Sequence, residues 1–151
     1  MSQSLSDVLL HIVYSTKDRR PFLQDARIRR DMHSYLGGIL KKRKCPAIEI
    51  NSVADHLHFL CRFDRNITIA DLLRDVKASS SSFLKNKSKS LRGFRWQSGY
   101  GVFSVSQSQV PRVRKYIVEQ EKHHFRQSFQ DEMRKLLIKH EIEFDERYVW
   151  D

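Results

Sequence analysis

Apolar and polar positions alternate or recur with clear periods along most of this chain. Residues 5–14, Leu-Ser-Asp-Val-Leu-Leu-His-Ile-Val-Tyr, are rich in β-branched and apolar side chains and predict a strand. Over residues 25–43, Ile28, Met32, Tyr35, Leu36, Ile39 and Leu40 recur at helical spacing. Arg27, Arg29, Arg30 and the run Lys41-Lys42-Arg43-Lys44 fall outside that stripe, and Pro46 closes the unit. Residues 47–53 and 56–63 predict two strands joined by a hairpin around Ala54-Asp55. A second helix is expected over 68–86, with Thr68 as its cap and Asp71 three residues on. Residues 100–106 alternate as a strand. Ser108 introduces a helix over about 109–126, with Pro111 tolerated in its first turn, and Ser128 starts a further helix.

The order is strand, helix, strand, strand, helix, strand, helix. It predicts an α+β fold, the β-α-β-β-α-β arrangement of ferredoxin-like sandwiches. Helices should cover one face of an antiparallel sheet and leave the other free for a ligand or partner. The main domain is expected over residues 1–127. Residues 128–151 are expected as a C-terminal helix and an apolar-acidic tail, packed on that domain or on a dimer partner.

The length of 151 residues suits one domain with a real core. No apolar run approaches a membrane span and no signal-peptide pattern opens the chain, so a cytoplasmic protein without membrane attachment is expected. Cys45 and Cys61 are the only cysteines, which excludes a disulfide framework and a cysteine zinc motif. Charge changes the picture more. The net charge is +10, and residues 127–151 carry four basic against seven acidic side chains, so the positive excess lies entirely in the first 126. From Val76 to Val118 there are nine Lys and Arg and no acid. A field of that sign attracts a polyanion, and nucleic acid is the expected partner.

Two short strings supply candidate chemistry. In residues 56–63, Leu57, Phe59, Cys61 and Phe63 share one apolar face, so His56 and His58 project together from the other. That spacing lets two imidazoles reach one metal ion, although a chance pair is the alternative in a chain with seven histidines. Tyr116 and Gln120 stand four apart on a predicted helix, one above the other, with Arg112 a turn before and His123 two turns after Tyr116. Val113 and Ile117 form a buried stripe beside Tyr116, which leaves a packed core tyrosine as the alternative there. A phenol with its usual pKa near ~10 needs a neighbouring cation and a polarised phosphate before it attacks. Mixed nitrogen and oxygen ligation suits Mg²⁺ or Mn²⁺, with Mn²⁺ the better match to imidazole.

Four segments together resemble one family, the single-tyrosine transposases of the smallest bacterial insertion sequences, the insertion-sequence-two-hundred group of the HUH endonucleases. They are His11-Ile-Val-Tyr-Ser-Thr-Lys17, Asp55-His-Leu-His58, Trp96-Gln-Ser-Gly-Tyr-Gly-Val-Phe-Ser-Val105 and Tyr116-Ile-Val-Glu-Gln-Glu-Lys-His-His124. The resemblance implies that His56 and His58 bind a divalent metal, Mg²⁺ or Mn²⁺, and that Gln120 completes the set. It implies that Tyr116 is the nucleophile, joined to the 5′ phosphate of a cleaved single strand while a 3′ hydroxyl is left. It further implies a bacterial or archaeal homodimer that binds single-stranded DNA with hairpin ends, with the tyrosine helix able to complete the partner subunit's site. Lys85, Lys87, Lys89, Arg92 and Arg95 are expected on DNA phosphates, and Arg112 at the phenolate or the scissile phosphate, with a surface salt bridge to Glu119 or another acid as its alternative. Phe94 and Trp96 are candidates for stacking on unpaired bases, with core packing the preferred reading for Trp96. His123 and His124 are candidates for metal or phosphate contact, or are simply solvated. Two other functions stay open: a domesticated nuclease processing hairpins of chromosomal repeats, and a non-catalytic nucleic-acid-binding module on the same sandwich.

Overall fold

The computed structural model describes residues 2–151. Its four strands are β1 (Leu9–Ser15), β2 (Ala47–Ser52), β3 (His56–Arg62) and β4 (Gly101–Val105). Their order across the sheet is β2-β3-β1-β4, and every neighbouring pair is antiparallel. Helices α1 (Ala26–Lys42) and α2 (Ile69–Lys85) follow β1 and β3, and α3 (Val110–Val118), α4 (Gln120–His124) and α5 (Phe129–Lys139) follow β4. This is the expected α+β sandwich, and α1, α2 and α5 start where expected. Ser108 does not cap α3: it lies in a short 3-10 turn, Gln107–Gln109, and α3 begins at Val110 without a side-chain cap. The side chains of Asp25, Thr68 and Ser128 accept backbone N–H bonds in the first turns of α1, α2 and α5. α1 stops where Lys44 turns left-handed (φ 61°) and the Cys45 N–H returns to the Leu40 carbonyl at 2.8 Å.

The larger core lies between the sheet and α1 with α2. Met32, Leu36 and Leu40 of α1 and Leu72, Leu73, Val76 and Leu84 of α2 pack on Ile12, Tyr14, Leu57, Phe59 and Cys61. Fully burying each aliphatic or phenyl side chain is worth about 1.5–3 kcal/mol. Leu57, Phe59 and Cys61 therefore face the core, as their alternation requires.

The opposite face is not free. Val13 and Phe103 pack against Phe129, Met133 and Leu137 of α5. Leu9 and Leu60 pack against Ile117 of α3. The physical reason is that this face carries Leu9, Val13, Leu60 and Phe103 beside its histidines, an apolar area that needs a cover. Gly101 helps α5 come close: a Cβ there would lie 3.0 Å from Met133 Sδ and 3.1 Å from Phe103 Cε2. The helix expected over 109–126 is interrupted at Glu119 (φ −90°, ψ 20°), which separates α3 from α4. Asn51 of β2 donates its amide to the carbonyls of Ile117 (2.9 Å) and Val118 (3.1 Å), so the end of α3 is capped by the sheet. After α5, Phe144, Val149 and Trp150 pack against the second core. Among the described residues no helix is long and apolar enough to cross a membrane.

Candidate active site

β3 delivers His56 and His58 to the covered face, and both are fully buried. Each ring is held from behind. Asp55 Oδ1 accepts from His56 Nδ1 at 2.6 Å, and His11 Nε2 pairs with His58 Nδ1 at 2.9 Å. Both Nε2 atoms are thereby turned toward a common point, as in metal sites whose histidines are oriented by partners on the far nitrogen. At that point they meet Glu132 of α5, whose Oε1 lies 2.7 Å from His58 Nε2 and 3.3 Å from His56 Nε2. His124 of α4 brings its Nε2 to 3.0 Å from the same oxygen and 2.9 Å from His56 Nε2. One donor atom from each of His56, His58, His124 and Glu132 lies within 4.8 Å of the others.

Tyr116 reaches the same group from α3. Its hydroxyl donates to Glu132 Oε2, and its ring stacks on His123 with centroids 4.8 Å apart. Gln120 is fully buried one turn on. Its amide nitrogen donates to the Tyr116 carbonyl at 3.3 Å, and its Oε1 is buried with no hydrogen-bond partner. Such an orphaned acceptor is costly and calls for an unseen partner. Convergent imidazoles, a buried carboxylate and an unpartnered amide oxygen fit a divalent metal.

Beside Tyr116 opens a cleft of about 560 Å³ between α3 and α5, over β4. His11, Tyr116 and Glu132 of the cluster line it, and Arg112, Lys135 and Lys139 bring three cations to an otherwise largely apolar wall. Of the cations expected at DNA, Arg112 is the one on this cleft. Lys85, Lys87, Lys89, Arg92 and Arg95 are exposed along the end of α2 and the loop after it, and Lys87 pairs with Asp31 of α1 at 3.0 Å. Trp96 and Phe94 are not placed for base stacking. Trp96 is 8% exposed and packs edge-on against Tyr14 and Phe94, and its indole N–H donates to Ser80 Oγ at 2.9 Å. Both rings fill the large core because the chain before β4 tucks under α2.

The sequence reading passed over Glu132 and His11. Glu132 has a signal: it sits on the stripe Phe129, Met133, Leu136 and Leu137 of α5, where a carboxylate has no bland reason to be. His11 shares a face of β1 with Leu9 and Val13, the face that pairs alongside His58.

A family model described as transposase IS200 like matches residues 4–120. The chain belongs to the IS200-like transposase family. Solved structures of the same fold include a Deinococcus radiodurans R1 protein named as a transposase, 20% identical, with a TM-score of 0.61 over 80% of this chain and 98% of that one. A REP-associated tyrosine transposase bound to a REP hairpin is 12% identical, with a TM-score of 0.60 over 82% of this chain and 74% of that one. No curated protein matches the sequence.

The electrostatics of this transposase-family site follow from burial and mutual charge. Burial alone would disfavour the His56 cation, but its hydrogen bonds with Asp55 and Glu132 outweigh that and push its pKa up to about 9. Burial, then the neighbouring His58, brings His11 down to about 3. Burial also holds His58 below the usual histidine value. For Glu132, burial opposes ionisation, yet the charge of His58 and the hydrogen bonds of His124, His56 and His58 hold its carboxyl well below the carboxylate range. Burial and then the Glu132 charge push the Tyr116 phenol well above its ordinary value. Both causes favour the neutral phenol, which donates to Glu132.

Proposed function

We propose that this chain cleaves and rejoins single-stranded DNA through Tyr116, with a divalent metal held by His56, His58 and Gln120. The observation that carries this reading is the meeting of a tyrosine hydroxyl with a buried histidine cluster, in one chain of a transposase family. When bound, the metal supplies Lewis acidity and counter-charge at the scissile phosphate. Mg²⁺ or Mn²⁺ suits the task, with Mn²⁺ the better partner for imidazole. His11 and Asp55 keep the two imidazoles aimed, and the buried, unpartnered Oε1 of Gln120 is free to serve as the third ligand. Arg112 and the basic cleft hold the strand's phosphates. Tyr116 Oη bonds to phosphorus as the bond from phosphorus to the upstream 3′ oxygen breaks. The phenol releases a proton and the 3′ oxygen takes one up, so a 5′ phosphotyrosine and a 3′ hydroxyl result. That linkage keeps the phosphodiester's energy, and a second 3′ hydroxyl can reverse the step on a new end.

Both halves of the site come from the same chain here, which supports a site formed within one subunit. Light scattering of the purified protein tests the homodimer that the resemblance implies. The likeness in fold to a transposase bound to a REP hairpin favours hairpin DNA as the substrate and keeps a domesticated hairpin-processing role as the second reading. Labelled single-stranded hairpin DNA, incubated with the protein and Mn²⁺ or Mg²⁺, should give a denaturant-stable protein–DNA adduct. Tyr116→Phe and His56→Ala should both lose it. An undiminished adduct in Tyr116→Phe overturns the assignment, and hairpins from element ends against those of chromosomal repeats separate the two roles.

A further inference from the structure

We propose that Glu132 belongs to the working site: its Oε1 is a metal ligand beside His56, His58 and His124, and its Oε2 sets the direction of the Tyr116 hydroxyl. The inference rests on the metal-dependent tyrosine chemistry proposed above. Glu132 lies on α5, beyond the segment that the family model matches. It is 1% exposed, and a carboxylate is buried at that depth only when cations and donors meet it. Its two oxygens divide the work. Oε1 faces three imidazole nitrogens at 2.7, 3.0 and 3.3 Å, and Oε2 takes the Tyr116 hydroxyl.

α5 has little freedom to carry the carboxylate elsewhere. Phe129, Met133 and Leu137 pin one side of the helix to Val13 and Phe103, which aims Glu132 at the cluster. Three imidazoles and this carboxylate, beside the Gln120 oxygen of the proposed site, form a donor set that suits Mn²⁺ or another borderline transition ion better than Mg²⁺, which prefers oxygen ligands and keeps several waters. The metal-free protein should therefore take up Mn²⁺, Co²⁺ or Zn²⁺ well before Mg²⁺. The nucleophile is tied to the same carboxylate, so loading the metal and aiming the phenol depend on one side chain. Glu132 acts on the reaction as a positioning residue, through Tyr116.

The test uses the full chain without DNA, then with it. Mn²⁺ binding is measured by calorimetry for wild type, Glu132→Gln, His56→Ala and Tyr116→Phe. Glu132→Gln should weaken binding about tenfold or more, at least the loss seen when a residue that only supports a metal's ligands is removed. His56→Ala should weaken it too, and Tyr116→Phe should leave it at the wild-type value. At saturating Mn²⁺, Glu132→Gln should slow adduct formation at saturating hairpin DNA, with the half-saturating DNA concentration unchanged. Wild-type Mn²⁺ affinity in Glu132→Gln, with binding lost in His56→Ala, overturns the ligand assignment and leaves the proposed function standing. An undiminished adduct rate overturns the positioning role. Retained binding in His56→Ala instead overturns the metal site itself. Should Glu132→Gln not fold, Glu132→Asp, which keeps the charge but shortens the arm, is measured in the same way. A loss of Mn²⁺ affinity of about tenfold or more supports Glu132 as a ligand, and wild-type affinity overturns it.

Discussion

Replacing His56 should destabilise the metal-free protein by an amount that depends steeply on pH. The folded state holds His56 as a cation with a pKa of about 9, because Asp55 and Glu132 flank a ring whose ordinary value is 6.5. A raised folded pKa adds stability that is complete below the unfolded value and vanishes as pH rises through the folded one. The whole shift corresponds to about 3 kcal/mol, and the part lost between pH 7 and pH 9 to about 2 kcal/mol. Other buried groups titrate nearby: burial lowers Lys77 to about 8, and His11, His33 and His58 also sit low. They are common to wild type and variant, so the difference between the two isolates His56. Urea unfolding in the presence of a chelator should show His56→Asn costing about 2 kcal/mol more at pH 7 than at pH 9. Asp55→Asn should show the same trend with smaller size, because the Glu132 contact remains. A cost that is equal at both pH values, or larger at pH 9, would refute the charged His56 and the ion pairs drawn around it. With Mn²⁺ present the trend should reverse, since metal needs the neutral ring.

Three further outcomes follow from particular contacts. Leu60→Ala should cost about 2–5 kcal/mol in urea unfolding, because Leu60 is fully buried between Leu9 and Ile117 and the pinned α3 cannot collapse into the gap. Trp96→Phe removes the indole donor to Ser80 Oγ inside the large core and should cost roughly 1–3 kcal/mol, while hairpin-DNA affinity, read by fluorescence anisotropy, stays unchanged because the ring packs in the core. Arg112→Ala should weaken single-stranded DNA binding and flatten the slope of log affinity against log salt by about 0.7, the value for one lost phosphate contact. An unchanged slope would remove Arg112 from the strand's path.

Much of this architecture was written in the periodicity. The caps at Thr68 and Ser128 and the strict alternation of β3 locate two helix starts and the two faces of one strand to within a residue or two. Alternation tells which side chains share a face. It does not tell what covers that face, and this is why His56 and His58 were expected beside open space yet are sealed under α3 and α5. The cover lies some sixty residues downstream of the strand, a distance that no local period can report. The break at Glu119 was invisible for a similar reason: Asn51, on a distant strand, caps α3 there. Phe94 shows the reverse error, since an aromatic ring in a basic segment resembles a stacking platform until its neighbours Phe22 and Trp96 are known.

β3 is buried on both sides, with Leu57, Phe59 and Cys61 in one core and His56, His58 and Leu60 in the other. A strand so enclosed offers no silent position to mutation. Random substitution along 56–61 should divide into two failing classes in alternating register. One loses soluble protein, and the other includes chains that fold but come out of purification without metal. Such a scan, scored for yield and for bound metal in the same cells, would display the pleat of the strand as a two-residue beat in its phenotypes. The basic loop after α2 should pass the same scan almost untouched.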